Sequence, residues 1–293
     1  MSWQKLVACA AEGMFCGYHA TFRRRALDGR PQRRRDRDMR KYLMVTMALG
    51  ALIAASVAGI ASAEKTQVGN LVFEANGGFS PKALPKNTLA PISLNASGKI
   101  STTDGSHPPA LKEVLVETDK NGAINVKGYP SCTSGKLQSQ DTKAAKAICK
   151  NSIIGEGKTA VDIAFPESKV VPVKSDLLVF NGGFSGGTTT LYIHAYITVP
   201  VPAAIVTTLK IKKVNKGRYG LYTVASVPKI AGGSGSVRSF DLTINKKFNY
   251  KGKQVSVLTA KCPDGRLQAK ATAVFADGTK ASAEFTRPCT GKG

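Results

Sequence analysis

Apolar and polar residues alternate along most of the chain after residue 63, and this period of two predicts β-strands rather than helices. In the stretch TLYIHAYITV, Leu191 and Ile193 begin an apolar face, whereas Tyr192, His194 and Tyr196 fall on the other face. The stretches RLQAKATAVFAD, SFDLTINKKF and AAIVTTLKIKKV alternate in the same way. Such strands bury one row of side chains and leave the other row in solvent.

Turn residues separate these segments. Asn-Gly and Asp-Gly pairs accept the positive φ of tight turns, so we expect each pair to close a hairpin. The pentapeptide NGGFS occurs at 76–80 and again at 181–185, each time shortly after the triplet Leu-Val-Phe. Because the flanking sequences do not align, both copies are interpreted as strand-then-turn segments, with internal duplication as the alternative. The Asn-Gly and Asp-Gly pairs of the chain begin at Asn76, Asp104, Asn121, Asn181, Asp264 and Asp277.

One segment, SQDTKAAKAICK at 139–150, is rich in Ala and Lys, lacks Gly and Pro, and predicts a short helix. No other segment has the helical pattern that parallel βαβ units need. The predicted fold is therefore all-β, an antiparallel β-sandwich with one short helix after an N-terminal signal segment. The sandwich domain is expected to span 64–293, with two β subdomains dividing near residue 175 as the alternative.

The uncharged segment 42–63 follows two basic residues and ends in Ala-Ser-Ala. A basic start, an apolar middle and a small-x-small end are typical of a secretory signal peptide, here 39–63, which leaves Glu64 as the mature N-terminus. A membrane anchor with its N-terminus inside is the alternative, because the segment is long enough to span a bilayer. The arginine-rich residues 1–38 are interpreted as a non-native, disordered extension before a start at Met39.

The expected exported part holds four cysteines, and an even number in a secreted protein indicates disulfides. Three pairings are possible. The sequential one, Cys132–Cys149 with Cys262–Cys289, is favoured because it closes short local loops. A zinc site is the alternative use of four cysteines, but no two of them lie at the close spacing of a zinc motif.

Lysine dominates the charge of the expected exported part. After residue 63, 31 Lys and Arg stand against 15 Asp and Glu, a net charge of +16. This charge favours a diffuse anionic partner such as a cell-envelope polymer, because Lys is a mobile point charge. Solubility alone is the alternative, and nucleic acid is not an expected partner because aromatic residues are sparse among the basic ones. The candidate surface-binding lysines are Lys210, Lys212, Lys246 and Lys247.

Two motifs that suggest ligands have simpler structural interpretations. The segment GEGKT at 155–159 lacks the first glycine of a phosphate-binding loop and precedes a strand, so a glycine turn is favoured. The segment 117–128 partly matches a calcium loop, but Gly128 replaces the closing glutamate, so a hairpin turn is favoured. Neither segment predicts a metal or a cofactor.

Besides the lysines, one row of aromatic side chains is a candidate binding surface. Tyr192, His194 and Tyr196 share a strand face and could stack against a sugar, with an ordinary half-buried strand face as the alternative. The chain has no G-x-S-x-G nucleophile elbow and no distinctive carboxylate constellation. No catalytic residue, no metal site and no cofactor are therefore expected.

Several phrases in the expected exported part resemble a family of secreted, β-rich actinobacterial proteins with no known activity. The phrases are SGKISTTDGSHPPALKE, KVNKGRYG, VPKIAGGSGSV, KCPDGRLQAKATAVFADGTK and RPCT. The resemblance covers nearly all of that part. It implies export, and it adds no activity, cofactor or catalytic residue.

The preferred hypothesis is an exported, non-enzymatic β-sandwich protein that associates with the cell envelope or with anionic surface polymers, outside the cell and without a stable membrane span. One alternative is a secreted enzyme acting on polysaccharide or peptide. Another is a carrier of lipids or small molecules, which would need an unfilled interior. The small residues Ala269, Ala271 and Ala273 argue against a carrier because they suggest close sheet packing.

Overall fold

A computed structural model describes residues 63–293 of the chain. The predicted extension at 1–38 lies outside the described residues, as does the predicted signal peptide at 39–63 except for its last residue. Export and cleavage before Glu64 therefore stay predictions. The first strand among the described residues, β1, begins at Glu64.

β-Strands make up most of the described residues, and all of their pairings except that of β3 with β19 are antiparallel. The strands are β1 (Glu64–Val68), β2 (Leu71–Ser80), β3 (Ala83–Pro85), β4 (Ala90–Pro91), β5 (Ser93–Thr102), β6 (Leu111–Asp119), β7 (Gly122–Ile124), β8 (Ile153–Ile163), β9 (Val171–Ser185), β10 (Thr188–Ile197), β11 (Ala203–Lys216), β12 (Tyr219–Ser226), β13 (Gly235–Ile244), β14 (Lys247–Tyr250), β15 (Lys253–Ser256), β16 (Leu258–Ala260), β17 (Arg266–Phe275), β18 (Lys280–Pro288) and β19 (Thr290–Lys292). The α-helices are α1 (Ser134–Leu137) and α2 (Thr142–Ile148), and 3-10 turns occupy Lys150–Ser152 and Ile230–Gly233. The predicted all-β class is confirmed.

All of the long strands belong to one sheet, in the order β1-β2-β5-β13-β8-β9-β10-β11-β12-β6-β17-β18. Every neighbouring pair in it is antiparallel. The sheet is nearly closed, because its two edge strands approach each other and Thr66 Oγ1 donates to Ser282 O at 2.6 Å. Residue 175 lies inside β9, and strands from both sides of it alternate in the sheet. The two-layer sandwich stays a prediction.

Glycines inside strands let the sheet curve tightly. A Cβ on Gly157 in β8 would collide with the carbonyl oxygen of Asp241 in β13. Gly98 in β5 stands in register with Phe240 in β13, and a Cβ there would lie 2.5 Å from the Phe240 ring. The aromatic ring thus covers the backbone that glycine leaves open, as in sheets built with strong curvature. GEGKT is therefore part of a strand rather than a turn leading into one.

Long connections cover one end of the sheet. Strands β2, β6 and β13 run in the same direction, so the segments that follow them leave the sheet at one end. Those segments contain β4, β7 and β16, which pair in the order β4-β16-β7. We call this small three-stranded sheet the lid. The opposite end of the main sheet carries mostly short hairpin loops.

The expected turns at Asn76 and Asn181 are wrong, because both NGGFS copies lie within strands β2 and β9. Asn181 is buried, and its Nδ2 donates to the carbonyl oxygens of Tyr129 and Pro130. The register between β9 and β10 skips one residue beside it, so the Asn-Gly pair forms a β-bulge instead of a turn. The pairs at Asp104, Asn121 and Asp264 lie in connections between strands that do not pair with each other, so among the six only the pair at Asp277 closes a hairpin, between β17 and β18.

The predicted helix at 139–150 is shorter than expected and is preceded by a second short helix that was missed. α2 begins after Asp141, whose Oδ1 accepts a hydrogen bond from Ala144 N at 2.7 Å and caps the first turn. The residues before Asp141 therefore stay outside the helix. α1 was missed because Ser134–Leu137 is a single turn that contains Gly135, which gives almost no helical period.

The predicted disulfide pairing is confirmed. Cys132 and Cys149 are joined with a Cα–Cα distance of 5.8 Å, and Cys262 and Cys289 with a distance of 6.1 Å. The first bridge pins α1 and α2 against the outer face of the main sheet, beside Phe180. The second joins the segment after the lid to the end of the β17–β18 hairpin.

Removing the second bridge should destabilise the fold. A Cys262→Ser/Cys289→Ser variant is expected to lose about 3 kcal/mol in free energy of unfolding, because an open loop of this length regains entropy in the unfolded chain. Guanidinium unfolding followed by circular dichroism measures the loss, with Cys132→Ser/Cys149→Ser as the matched variant. A loss below about 1 kcal/mol in the Cys262→Ser/Cys289→Ser variant would contradict the prediction.

Candidate functional site

An apolar cavity of about 390 Å³ lies inside the nearly closed sheet. Inward-facing residues from most strands of the main sheet form its wall, and Ile193, Leu209, Leu221 and Leu242 are typical of them. The lid contributes every residue of β7 and β16. The cavity is thus bounded by strands on its sides and at one end.

Its aliphatic side chains pack against the buried cluster that contains Leu191 and Ile211, but they also border open space. Ile193, Leu209, Leu221 and Leu242 point inward and yet remain only half-buried, unlike residues of a close-packed interior. Small side chains line the same wall, among them Ala96, Thr207 and Thr223. Because these short side chains do not reach the opposite strands, the middle of the sheet stays unfilled.

The close packing expected around Ala269, Ala271 and Ala273 is only partly found. Ala273 is fully buried in the cluster at the hairpin-loop end, together with Phe275 and Ile163. Ala271 is buried in the same cluster but also borders the cavity, and the half-buried Ala269 lines the cavity. The alternating alanines therefore give close packing at one end of β17 and open space toward the other.

Polar groups reach the cavity near the lid. The Arg287 guanidinium donates from Nε to Gly77 O at 2.6 Å and from Nη2 to Asn76 Oδ1 at 2.8 Å. Its side chain also lies over the Phe285 ring, 5.0 Å from the centroid. The first NGGFS copy therefore positions a buried cation at the cavity wall, a role that its sequence alone did not indicate.

Asp119 is the single carboxylate among the described residues that line the cavity. It is 3% exposed, and its Oδ2 accepts from Arg218 Nε at 2.6 Å and from Gln268 N at 3.0 Å. Its Oδ1 accepts from the backbone and side-chain nitrogens of Asn121, both at 2.9 Å. This carboxylate of the calcium-like segment is thus already engaged by protein donors.

Arg218 links Asp119 to a second carboxylate nearer the surface. It forms an ion pair with Asp264, and its Nη2 also donates to Arg266 O at 2.6 Å. Hydrogen bonding from Arg218 holds the pKa of Asp264 below its usual value, and hydrogen bonding to Asp264 raises the pKa of Arg218. Both groups therefore stay charged across the physiological pH range.

The predicted aromatic row does not form one exposed surface. His194 is completely buried under the helical segment, and its Nε2 donates to Gln140 O at 2.9 Å. Tyr192 and Tyr196, on either side of it, are half-buried. His194 is thus not available to a surface ligand, whereas a binding role for the two tyrosines stays a prediction.

Protonation of His194 should weaken the fold. Burial lowers its pKa below the ordinary value of 6.5, although the Gln140 carbonyl and Asp141 act in the opposite direction. Within the described residues its Nδ1 has no hydrogen-bond partner, so a proton there would be buried without an acceptor.

The unfolded chain therefore binds the proton more readily than the folded one, and stability should be complete above the unfolded pKa and fall as the pH drops below it. Urea unfolding between pH 7.5 and pH 5 tests this, with His194→Gln as the variant that should lose this part of the pH dependence. An unchanged pH dependence in His194→Gln would contradict the assignment.

The four candidate lysines are all exposed. Lys210 and Lys212 lie in β11 on the outer face, while Leu209 and Ile211 point to the cavity, as the alternation predicted. Lys246 and Lys247 lie at the start of β14, in the connection that leads to the lid. The structure thus presents two separate cationic positions rather than one focused cluster.

Comparisons with known proteins found no match for this chain. No protein-family model matches the chain, and no curated protein or solved structure matches it either. The resemblance to secreted actinobacterial proteins therefore stays a prediction. Among residues 63–293, no helix is long and apolar enough to cross a membrane, and no three His, Cys, Asp or Glu side chains are grouped as metal ligands.

Proposed function

We propose that this chain is an exported, non-enzymatic protein that binds an apolar small molecule, such as a lipid, in the cavity of its main sheet. The observation that carries the proposal is the cavity of about 390 Å³, whose wall consists mainly of aliphatic side chains, several of them only half-buried. The two disulfides support an oxidising, extracellular environment. In the sequence analysis, a carrier of lipids or small molecules was an alternative and not the preferred hypothesis.

The size and chemistry of the cavity favour a ligand over empty space. Small-molecule sites commonly occupy roughly 300–1,000 Å³ and are mostly apolar with a few polar groups. Water inside such a wall finds few partners, whereas an apolar ligand gains about 2.5 kcal/mol for each ~100 Å² of surface that it removes from water. The cavity wall therefore favours ligands whose surface is mostly apolar.

Fluorescence of the neutral probe N-phenyl-1-naphthylamine tests the proposal. A neutral probe is required because an anionic dye would also bind to the lysines of this basic chain. We expect saturable fluorescence enhancement with one probe bound per chain, and displacement by hexadecanol. No enhancement, or enhancement without displacement by any long-chain competitor, would reject the proposal.

A second proposed function is electrostatic association with anionic cell-envelope polymers. The observation that favours it is the exposed outer row of β11, where Lys210 and Lys212 stand in solvent above a buried apolar row. The net charge of +16 after residue 63 attracts such polymers over a distance set by the salt concentration. This association does not depend on the cavity.

Retention on purified cell wall across a salt series measures this association. Binding at low salt should be lost near 1 M salt, where the screening length is only about 3 Å. A variant with Lys210, Lys212, Lys246 and Lys247 changed to Gln should elute at lower salt, while Lys158→Gln/Lys174→Gln, elsewhere on the surface, serves as the charge control. Salt-independent retention would contradict the proposal.

A further inference from the structure

The two ends of the main sheet differ strongly in charge. At the lid end, the segments that precede, connect or follow its strands contain 15 Lys and Arg against 2 Asp, a net charge of +13. The connecting segments at the opposite end contain 2 Lys against 3 Asp and Glu. The lid end of the cavity is therefore the strongly basic one. The segments at that end are 81–92, 120–152, 186–187, 217–218, 245–265 and 289–293.

Two cations at the lid end contact aromatic rings of the cavity wall. The Arg287 guanidinium lies 5.0 Å from the ring centroid of Phe285, and Lys82 Nζ lies 4.0 Å from that of Phe79. Both rings line the cavity, and so does Arg287 itself. Partial burial lowers the pKa of Lys82, and the nearby charge of Arg287 lowers it further. Because the two cations lie close enough to repel each other, an anion bound beside them would relieve that repulsion.

Hydrogen bonds to uncharged acceptors hold the Arg287 guanidinium in place at the cavity wall. Nε donates to Gly77 O at 2.6 Å, Nη1 to Thr286 O at 3.1 Å and Nη2 to Asn76 Oδ1 at 2.8 Å. Among the described residues that line the cavity, the other charged side chain is Asp119, whose carboxylate is engaged by its own hydrogen bonds. A fixed guanidinium in an otherwise apolar wall favours a ligand group that is both anionic and a hydrogen-bond acceptor.

We propose that the ligand of the cavity is an acidic amphiphile, whose apolar chain lies in the cavity and whose carboxylate or phosphate binds at Arg287 and Lys82. This inference rests on the proposed function, because it names the ligand class of the same cavity. A guanidinium binds either headgroup, since each presents two acceptor oxygens to its paired N–H groups. The basic lid end would also attract an anionic ligand from solution and repel a cationic one.

Competition against N-phenyl-1-naphthylamine tests the headgroup separately from the apolar chain. The competitors are hexadecanoate, hexadecyl phosphate, hexadecanol and hexadecylammonium, which have alkyl chains of nearly equal length and are used with the full chain at low salt. At least one of the two anions should displace the probe at a roughly tenfold lower concentration than hexadecanol, with hexadecylammonium the weakest competitor. Preference for hexadecanoate indicates a fatty-acid headgroup, and preference for hexadecyl phosphate indicates a phospholipid headgroup.

Two variants test where the headgroup binds. Lys82→Gln should reduce the preference for the anion over hexadecanol by roughly threefold or more, with hexadecanol affinity unchanged, because Lys82 is exposed and its loss leaves the cavity intact. Arg287→Gln should reduce the preference by roughly tenfold or more, and Lys82→Gln alone carries the test if that variant does not fold. Lys143→Gln is the matched control, because it makes the same change in net charge at the lid end, from an exposed position in α2 on the outer face of the sheet.

The outcomes distinguish this inference from the proposed function. Equal displacement by hexadecanol and by both anions, or an equal effect of Lys82→Gln and Lys143→Gln on the preference, would overturn the inference while leaving the proposed function intact. Failure of every long-chain competitor to displace the probe would reject the proposed function, and this inference with it.

Discussion

Replacing Asp119 with alanine should lower the free energy of unfolding by about 3–5 kcal/mol, because it removes one partner of a buried ion pair. The carboxylate is 3% exposed and accepts four hydrogen bonds, from Arg218, Gln268 and Asn121. Its loss would leave the Arg218 Nε and the Gln268 amide, both beside the cavity wall, without their acceptor. Urea or guanidinium unfolding measures the change.

Asp264→Ala is the matched control, because it removes the other carboxylate that binds Arg218. The side chain of Asp264 is 43% exposed, against 4% for that of Asp119. Water can replace most of the hydrogen bonding that Asp264 provides to Arg218. The Asp264→Ala variant should therefore lose no more than about 1 kcal/mol in free energy of unfolding. Similar losses in the two variants would show that burial does not set the strength of this network.

The sequence could not assign Asp119 its role. Within 117–128 it was interpreted as part of a hairpin turn in a calcium-like segment, but β7 pairs with β16 rather than with β6, so the turn after Asp119 closes no hairpin. Its main partner, however, lies at Arg218, 99 residues further along the chain. That contact depends on the pairing of β6 with both β12 and β17, and pairing between distant strands leaves no local pattern.

The sequence predicted individual strands well because alternation is a local signal. Leu191 and Ile197 are buried on the inner face of β10, where the period of two placed them. The strand order was not predictable in the same way. β13 lies between β5 and β8, so its neighbours come from a distant part of the chain. Curvature at Gly98 and Gly157, which helps the sheet to close, requires that order to be known first.

The sequence analysis missed the cavity because a small inward-facing side chain can either allow close packing or leave space open. Ala269 and Ala273 occupy the same face of β17, yet one lines open space and the other is completely buried. The difference lies in what stands opposite them. Near Ala273 the Phe275 ring and the Ile163 side chain fill the interior, whereas the wall near Ala269 is lined by Thr118 and other residues that leave the centre open.

Filling the cavity should abolish ligand binding without loss of stability. Ala96 in β5 and Thr223 in β12 both line the cavity, and their strands are six positions apart in the order of the nearly closed sheet, on opposite walls. In an Ala96→Phe/Thr223→Phe variant, the two rings would occupy the space that the ligand needs. Affinity for N-phenyl-1-naphthylamine should fall by roughly 100-fold or more, since apolar contacts of the ligand are lost on both sides.

The free energy of unfolding distinguishes a filled cavity from a damaged fold as the cause of lost binding. Extra methylenes forced into a close-packed interior typically cost about 1–3 kcal/mol, but rings that enter open space gain apolar burial instead. The variant should therefore unfold at the same guanidinium concentration as the parent chain or at a higher one. Ser226→Phe, which adds a ring to the exposed face of β12, should leave both affinity and stability unchanged. Marked destabilisation of Ala96→Phe/Thr223→Phe, or full probe binding by it, would show that the interior of the sheet is not a ligand site.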